Sequence, residues 1–215
     1  MTPTRAHTGV KICGIRDEAA LDAAAEAGAD WIGFVFFNRS PRAVAAPVAA
    51  ALQQRLAGRA ISVGLFVSPT DDELDRTLAA VPLDILQLYT DPERASVLRH
   101  RFGLPVWLAH GVHGRDALPR TTALDGLVVE ARAPDGADRP GGNGVRFDWT
   151  ITRDWTAPAP WLLAGGLTPD NVRIAIVASG APAVDVSSGV EHAPGEKDPV
   201  LIRRFIAAAR GAAPD

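Results

Sequence analysis

Residues 10–36 carry the stretch that decides the fold: Val10-Lys11-Ile12-Cys13-Gly14-Ile15, then Asp17–Ala27, then Trp31-Ile32-Gly33-Phe34-Val35-Phe36. The two outer runs are short and largely apolar, as strands buried on both faces are. The segment between them opens on acidic residues, where carboxylates favour the positive end of a helix dipole. Strand, helix and strand in this order imply a crossover that pairs the two strands in parallel.

The alternation continues to the end of the chain. A helix is expected around Pro47–Leu56, a third strand at Ile61–Val67, and a helix opening at Thr70 with Asp71, Asp72 and Glu73 in its first turn. A fourth strand follows at Ile85–Leu88, with a helix near Asp91–Arg101. The fifth strand, Val106–Leu108, has only a brief helix after it, if any, and the sixth, Gly126–Val129, precedes a Gly/Pro-rich segment. The seventh strand, Trp161–Ala164, leads to a helix capped by Thr168 with Pro169 at its first position. An eighth at Ala183–Val186 and a helix at Asp198–Ala208 complete the series. Eight such units favour one closed (βα)8 TIM barrel of the α/β class, with residues 1–215 as a single domain. The chain has 215 residues, against about 250 for a typical barrel of this kind, so its helices should be short. The loop Ala131–Arg146 is the longest and the natural place for a lid.

Composition narrows the function. A net charge of −3 is too mild for nucleic-acid binding by bulk electrostatics. The single cysteine, Cys13, allows no intrachain disulfide and fits a reducing cytoplasm. The first nine residues lack an apolar signal core, and the longest apolar stretch, Ala43–Leu52, is interrupted by Pro47 and too short to span a membrane. The expectation is a cytoplasmic protein with a small-molecule partner and neither nucleic acid nor membrane; monomer and homodimer both fit.

Barrels of this class carry their sites at the C-terminal ends of the strands, with phosphate often bound after strands 7 and 8. Gly165-Gly166 follows strand 7 and Ser187-Ser188-Gly189 follows strand 8. Glycine-rich loops let backbone N–H groups approach an anion, so a phosphorylated ligand is expected rather than two plain turns. Cys13 ends strand 1, as an inert buried thiol or a working one. Glu130 ends strand 6, as a functional carboxyl or as a solvated loop residue paired with Arg132. Arg39 or Arg42, beyond strand 2, could hold an anionic group through its planar fork or simply face solvent. His110 and His113 lie just beyond strand 5 without the further ligands a zinc site needs, so no metal is assigned. His7, His100 and His192 are expected at the surface, and Trp31, Trp107 and Trp161 in the packing of the strands.

Taken in order, these segments resemble the phosphoribosylanthranilate isomerase family of tryptophan biosynthesis. The resemblance rests on residues 10–15, Glu26–Asp30 with Gly33–Phe36, Ser40-Pro41-Arg42, Val63–Val67, Leu86-Gln87-Leu88 and Phe147-Asp148-Trp149. Leu163–Pro169 with Asn171, Val184–Glu191, Pro194-Gly195 and Lys197-Asp198-Pro199 extend it over nearly the whole chain. It implies the same barrel and a cofactor-free Amadori rearrangement, with a general acid opening the sugar ring and a general base taking the proton from carbon 2. It also implies Cys13 as base, Arg42 at the substrate carboxylate, Asp185 near the sugar, and the two loops named above at the phosphate. The family's acid is an aspartate where this chain has Glu130, and its His-Gly after Gln87-Leu88 is replaced by Tyr89-Thr90. Gly141-Gly142 and Gly144 keep the family's glycine-rich loop. These departures leave two further readings open: a related isomerase acting on another phosphorylated aminoaldose, and a phosphate-ligand-binding barrel without catalysis.

Overall fold

The computed structural model describes residues 7–134, 136, 141, 144 and 146–211. Eight parallel strands close into a barrel in sequence order: β1 (Gly9–Cys13), β2 (Trp31–Val35), β3 (Ile61–Val67), β4 (Ile85–Tyr89), β5 (Val106–Val112), β6 (Gly126–Ala131), β7 (Trp161–Leu163) and β8 (Ala183–Val186). Closure is made by β1 against β8, where Lys11 lies opposite Asp185. Among the described residues there are six α-helices: α1 (Glu18–Glu26), α2 (Ala46–Leu56), α3 (Asp71–Ala80), α4 (Pro92–Phe102), α5 (Val172–Ser179) and α6 (Pro199–Arg210). The shortness of the chain is explained after β5 and β6. There the helices are reduced to 3₁₀ turns at Arg115–Ala117 and Trp149–Thr152.

Strand parity sorts the side chains into two cores. Val10, Ile12, Ile32, Phe34, Leu86 and Leu88 point outward and pack beneath the helices. Val63, Ile85, Trp107, Val128 and Leu162 point inward and fill the lower barrel, with Trp31 edge-on to Trp107 at 5.3 Å. Each such side chain contributes about 1.5–3 kcal/mol on full burial. Trp161 faces the outer core instead. Local signals fix the helix starts: Asp17 and Asp91 cap α1 and α4, and Thr70 with Glu73 forms a capping box on α3.

Several boundaries differ from the sequence expectation. β4, β5 and β6 run on to include Tyr89, His110 and Glu130. Thr168 does not cap α5, which begins at Val172. The Asn171 side chain instead folds the preceding turn, accepting from the Thr168 N–H at 2.9 Å and donating to the Gly166 carbonyl at 2.9 Å. A two-stranded hairpin, β9 (Glu191–Ala193) with β10 (Glu196–Lys197), was not expected. Much of the proposed lid, including Gly142, lies outside the described residues.

Candidate active site

A cleft opens at the C-terminal ends of the strands, and the residues singled out from the sequence converge on it. Cys13, Glu130, Arg42 and Asp185 line it together with Gly165, Gly166, Ser187, Ser188 and Gly189. Parity explains the convergence. Lys11 and Cys13 on β1, Tyr89 on β4, Glu130 on β6 and Asp185 on β8 share the inward face of the barrel.

The centre of the site is an ion pair that the sequence reading did not single out. Lys11 is fully buried, and its Nζ lies 3.0 Å from Asp185 Oδ1 across the β1–β8 seam. Gly33 on β2 makes room for it: a Cβ there would lie 3.1 Å from Lys11 Nζ and 3.0 Å from Cys13 Sγ. Burial pulls the ammonium pKa down, but Asp185 and Cys13 beside it more than offset this, leaving it above the ordinary lysine value. Burial pushes the Cys13 thiol up; Lys11 draws it back and Asp185 opposes, with a net rise. Cys13 is therefore a thiol at neutral pH, with a cation beside it that favours the thiolate.

A second network ties the rim together. Arg42 donates from Nε and Nη2 to the two Glu191 carboxylate oxygens at 2.8 and 2.9 Å. The fork expected at a substrate carboxylate is thus directed mainly at Glu191, with Nη1 outside the pair. Lys197 donates to the same carboxylate at 2.7 Å and to the Ser187 carbonyl at 2.9 Å. Ser187 Oγ in turn donates to the Cys13 carbonyl at 3.0 Å. Burial raises the Glu191 carboxyl, but Arg42 and Lys197 outweigh it and hold it below the usual range. Lys197 is shifted down because burial dominates, with Glu191 only partly compensating. Glu191 and Lys197 are held by the β9–β10 hairpin.

Gly165 and Gly166 adopt φ of 89° and 64°, the left-handed region that favours glycine. Gly189 sits so close to the Leu167 carbonyl that no side chain fits, so the loops after β7 and β8 nest against each other. That nesting brings both proposed phosphate loops to one rim.

On the opposite side, Glu130 is buried at 5% exposure and meets Tyr89 rather than solvent. Arg132 lies beyond the strand and is exposed. Burial, then the Glu130 carboxylate, hold the Tyr89 phenol well above its ordinary pKa, so it stays protonated beside Glu130. His110 is bonded through Nε2 to the Ala117 carbonyl at 2.7 Å.

A family model described as N-(5'-phosphoribosyl)anthranilate (PRA) isomerase matches residues 10–208. The chain belongs to the PRA isomerase family. It is 53% identical to the N-(5'-phosphoribosyl)anthranilate isomerase of Acidiphilium cryptum, covering 94% of this chain and 98% of that one. Among solved structures, the phosphoribosyl anthranilate isomerase of Thermotoga maritima superposes with a TM-score of 0.82 at 32% identity, covering 95% and 99%. A solved structure of PRA isomerase in complex with reduced 1-(o-carboxyphenylamino)-1-deoxyribulose 5-phosphate gives 0.80 at 30% identity with the same coverage. Glu130 and Tyr89, the residues expected from the sequence to depart from the resemblance, line the cleft side by side.

Proposed function

We propose that this PRA isomerase family member converts N-(5'-phosphoribosyl)anthranilate to 1-(2-carboxyphenylamino)-1-deoxyribulose 5-phosphate, with Glu130 as general acid and Cys13 as general base. The observation that carries this is the placement of a thiol and a buried carboxyl in one cleft with the two nested glycine-rich loops. The ligand in the related complex has a phosphate at one end and a carboxyphenylamino group at the other. A cleft with glycine-rich loops on one side and Arg42 on another suits a molecule of that shape.

In this reading the phosphate lies against Gly165, Gly166, Ser188 and Gly189, and Ser187 fixes the β8 loop to β1. Glu130 gives its proton to the furanose ring oxygen; the carbon–oxygen bond breaks and the nitrogen lone pair forms the iminium. Cys13, as thiolate, removes the proton from carbon 2. The electron pair neutralises the iminium as an enolamine, which tautomerises to the ketone. Lys11 supports the thiolate, and Asp185 holds Lys11 and faces the sugar. Each acid–base group is worth about 10²–10⁴-fold. A small phosphorylated substrate and a metabolic reaction also support residence in the cytoplasm, and no described helix is long and apolar enough to cross a membrane.

The test is turnover of freshly generated N-(5'-phosphoribosyl)anthranilate, followed by loss of its fluorescence. Wild type is expected to turn over, and Cys13→Ser and Glu130→Ala are each expected to lose at least about 10²-fold in kcat. Full turnover by both variants would remove the assigned roles. Binding without turnover by wild type would leave a ligand-holding barrel instead.

A further inference from the structure

Glu130 is a long side chain asked to deliver a proton to one atom, and nothing in a glutamate fixes its torsions. Misplacement by about 1 Å can cost about 10²-fold in rate. The structure supplies a fixed point opposite it. Tyr89 ends β4, anchored by its register with Val67 on β3 and by its carbonyl, which accepts from the Ser68 N–H at 2.8 Å. From there its ring reaches the β6 end, where its hydroxyl stands beside the Glu130 carboxyl. The contact is closed from above. Gly141 lies so near that a Cβ built on it would strike the Tyr89 hydroxyl, and that Cβ would lie 2.5 Å from Glu130 Oε1 and 2.7 Å from Tyr89 Cζ. Both side chains also line the wider neighbouring cavity that reaches Arg39, His110 and Arg132. The pair therefore stands between that open space and the reaction cleft.

We propose that Tyr89 is the positioning residue for the acid: its phenol orients the Glu130 carboxyl toward the cleft and takes up the charge left when the proton departs. The inference rests on the isomerase reading above. It gives Tyr89 a role that a hydrophobic wall of the same size cannot fill, because the decisive atom is the hydroxyl.

The experiment is a kinetic double-mutant cycle on the full chain with N-(5'-phosphoribosyl)anthranilate. Tyr89→Phe is expected to lower kcat about 10–100-fold while KM changes little, since no group that binds the substrate is removed. Made in the Glu130→Asp background, Y89F is expected to cost only a few-fold, because the shorter carboxyl no longer reaches the phenol. Gly141→Ala crowds the same pair from outside the core and is expected to lower kcat without raising KM, which keeps the idea testable if Y89F folds poorly. Full kcat in both Y89F and G141A overturns the proposal, and so do equal losses from Y89F in the two backgrounds, which mark a packing role. An inactive wild type overturns the isomerase reading itself; an active wild type indifferent to these changes overturns only the role of Tyr89.

Discussion

The chain contains two lysines, and both end up buried at the site, Lys11 in the barrel and Lys197 at its rim. A buried ammonium is tolerated only when paired, and Lys11 is paired with Asp185 at 3.0 Å. Lys11→Met leaves the Asp185 carboxylate buried without its cation. The expected loss is about 3–5 kcal/mol of unfolding free energy, read as a lower urea midpoint; an unchanged midpoint would show that the pair is not structural. Lys11 also sets the state of Cys13. The thiol stands above its ordinary pKa, chiefly through burial, and the proposed base is the thiolate. Its population therefore grows about tenfold per pH unit below that pKa. The expected result is a kcat/KM that climbs between pH 7 and pH 9 in wild type, with the climb abolished in C13S. A flat wild-type profile would exclude Cys13 as the group titrating in the free enzyme. Cys13 itself was legible in the sequence because it ends a strand. Lys11 was passed over because it stands inside an apolar run, although residues 11 and 13 of a strand share a face, and that signal alone pointed to it.

At the level of elements, the strands could be read because burial on both faces leaves continuous apolar runs, and α1, α3, α4 and α6 because capping residues precede them. What could not be read was the β9–β10 hairpin. Glu-His-Ala-Pro-Gly-Glu-Lys over residues 191–197 has neither β-branched residues nor apolar alternation. Its strands are held by the site's charges rather than by a core. Glu191 is the hub, accepting from Arg42 and Lys197. Its carboxyl is held below the ordinary value of 4.5, so the stabilisation it gives is complete above about that pH in the folded chain. It is lost as pH falls through the depressed folded value. Glu191→Gln removes this linkage. Thermal melts should show wild type losing its margin over E191Q below about pH 4.5. The other depressed carboxyls, Asp22, Asp71, Asp125 and Asp148, are common to both proteins and cancel in the difference. A constant gap between the two proteins at every pH would mean that Glu191 gains nothing from its partners. The α5 boundary teaches a related lesson. Thr168-Pro169 reads as a helix start, yet Asn171 is used to shape the Gly166 turn, so a local capping signal yielded to the loop that lines the cleft.

Over the whole molecule, the barrel is covered unevenly. α6 packs over β1 and α4 over β5, and Arg210 on α6 donates to Gly28 and reaches Asp30 to fasten the outer ring across the closure. On the opposite side, β5 and β6 are followed only by 3₁₀ turns, and the last residues of β5 include the exposed Gly111. Fewer buried contacts over a backbone ladder lower the free energy of opening it locally. Hydrogen exchange followed residue by residue should therefore be slowest on β1, β2 and β8 and measurably faster at the C-terminal ends of β5 and β6. Inorganic phosphate, as the simplest part of the proposed substrate, should slow the amides of Gly165, Gly166, Ser188 and Gly189 if those N–H groups meet it. It should do little for the β6 end, where the proposed acid sits. Uniform protection around the barrel would contradict the uneven covering. Phosphate protection appearing at β6 instead of the β7 and β8 loops would contradict the assignment of the two ends of the cleft. The combination expected, a well-covered seam that grips an anion and a thinly covered side that bears Glu130 and Tyr89, divides the barrel between binding and proton transfer.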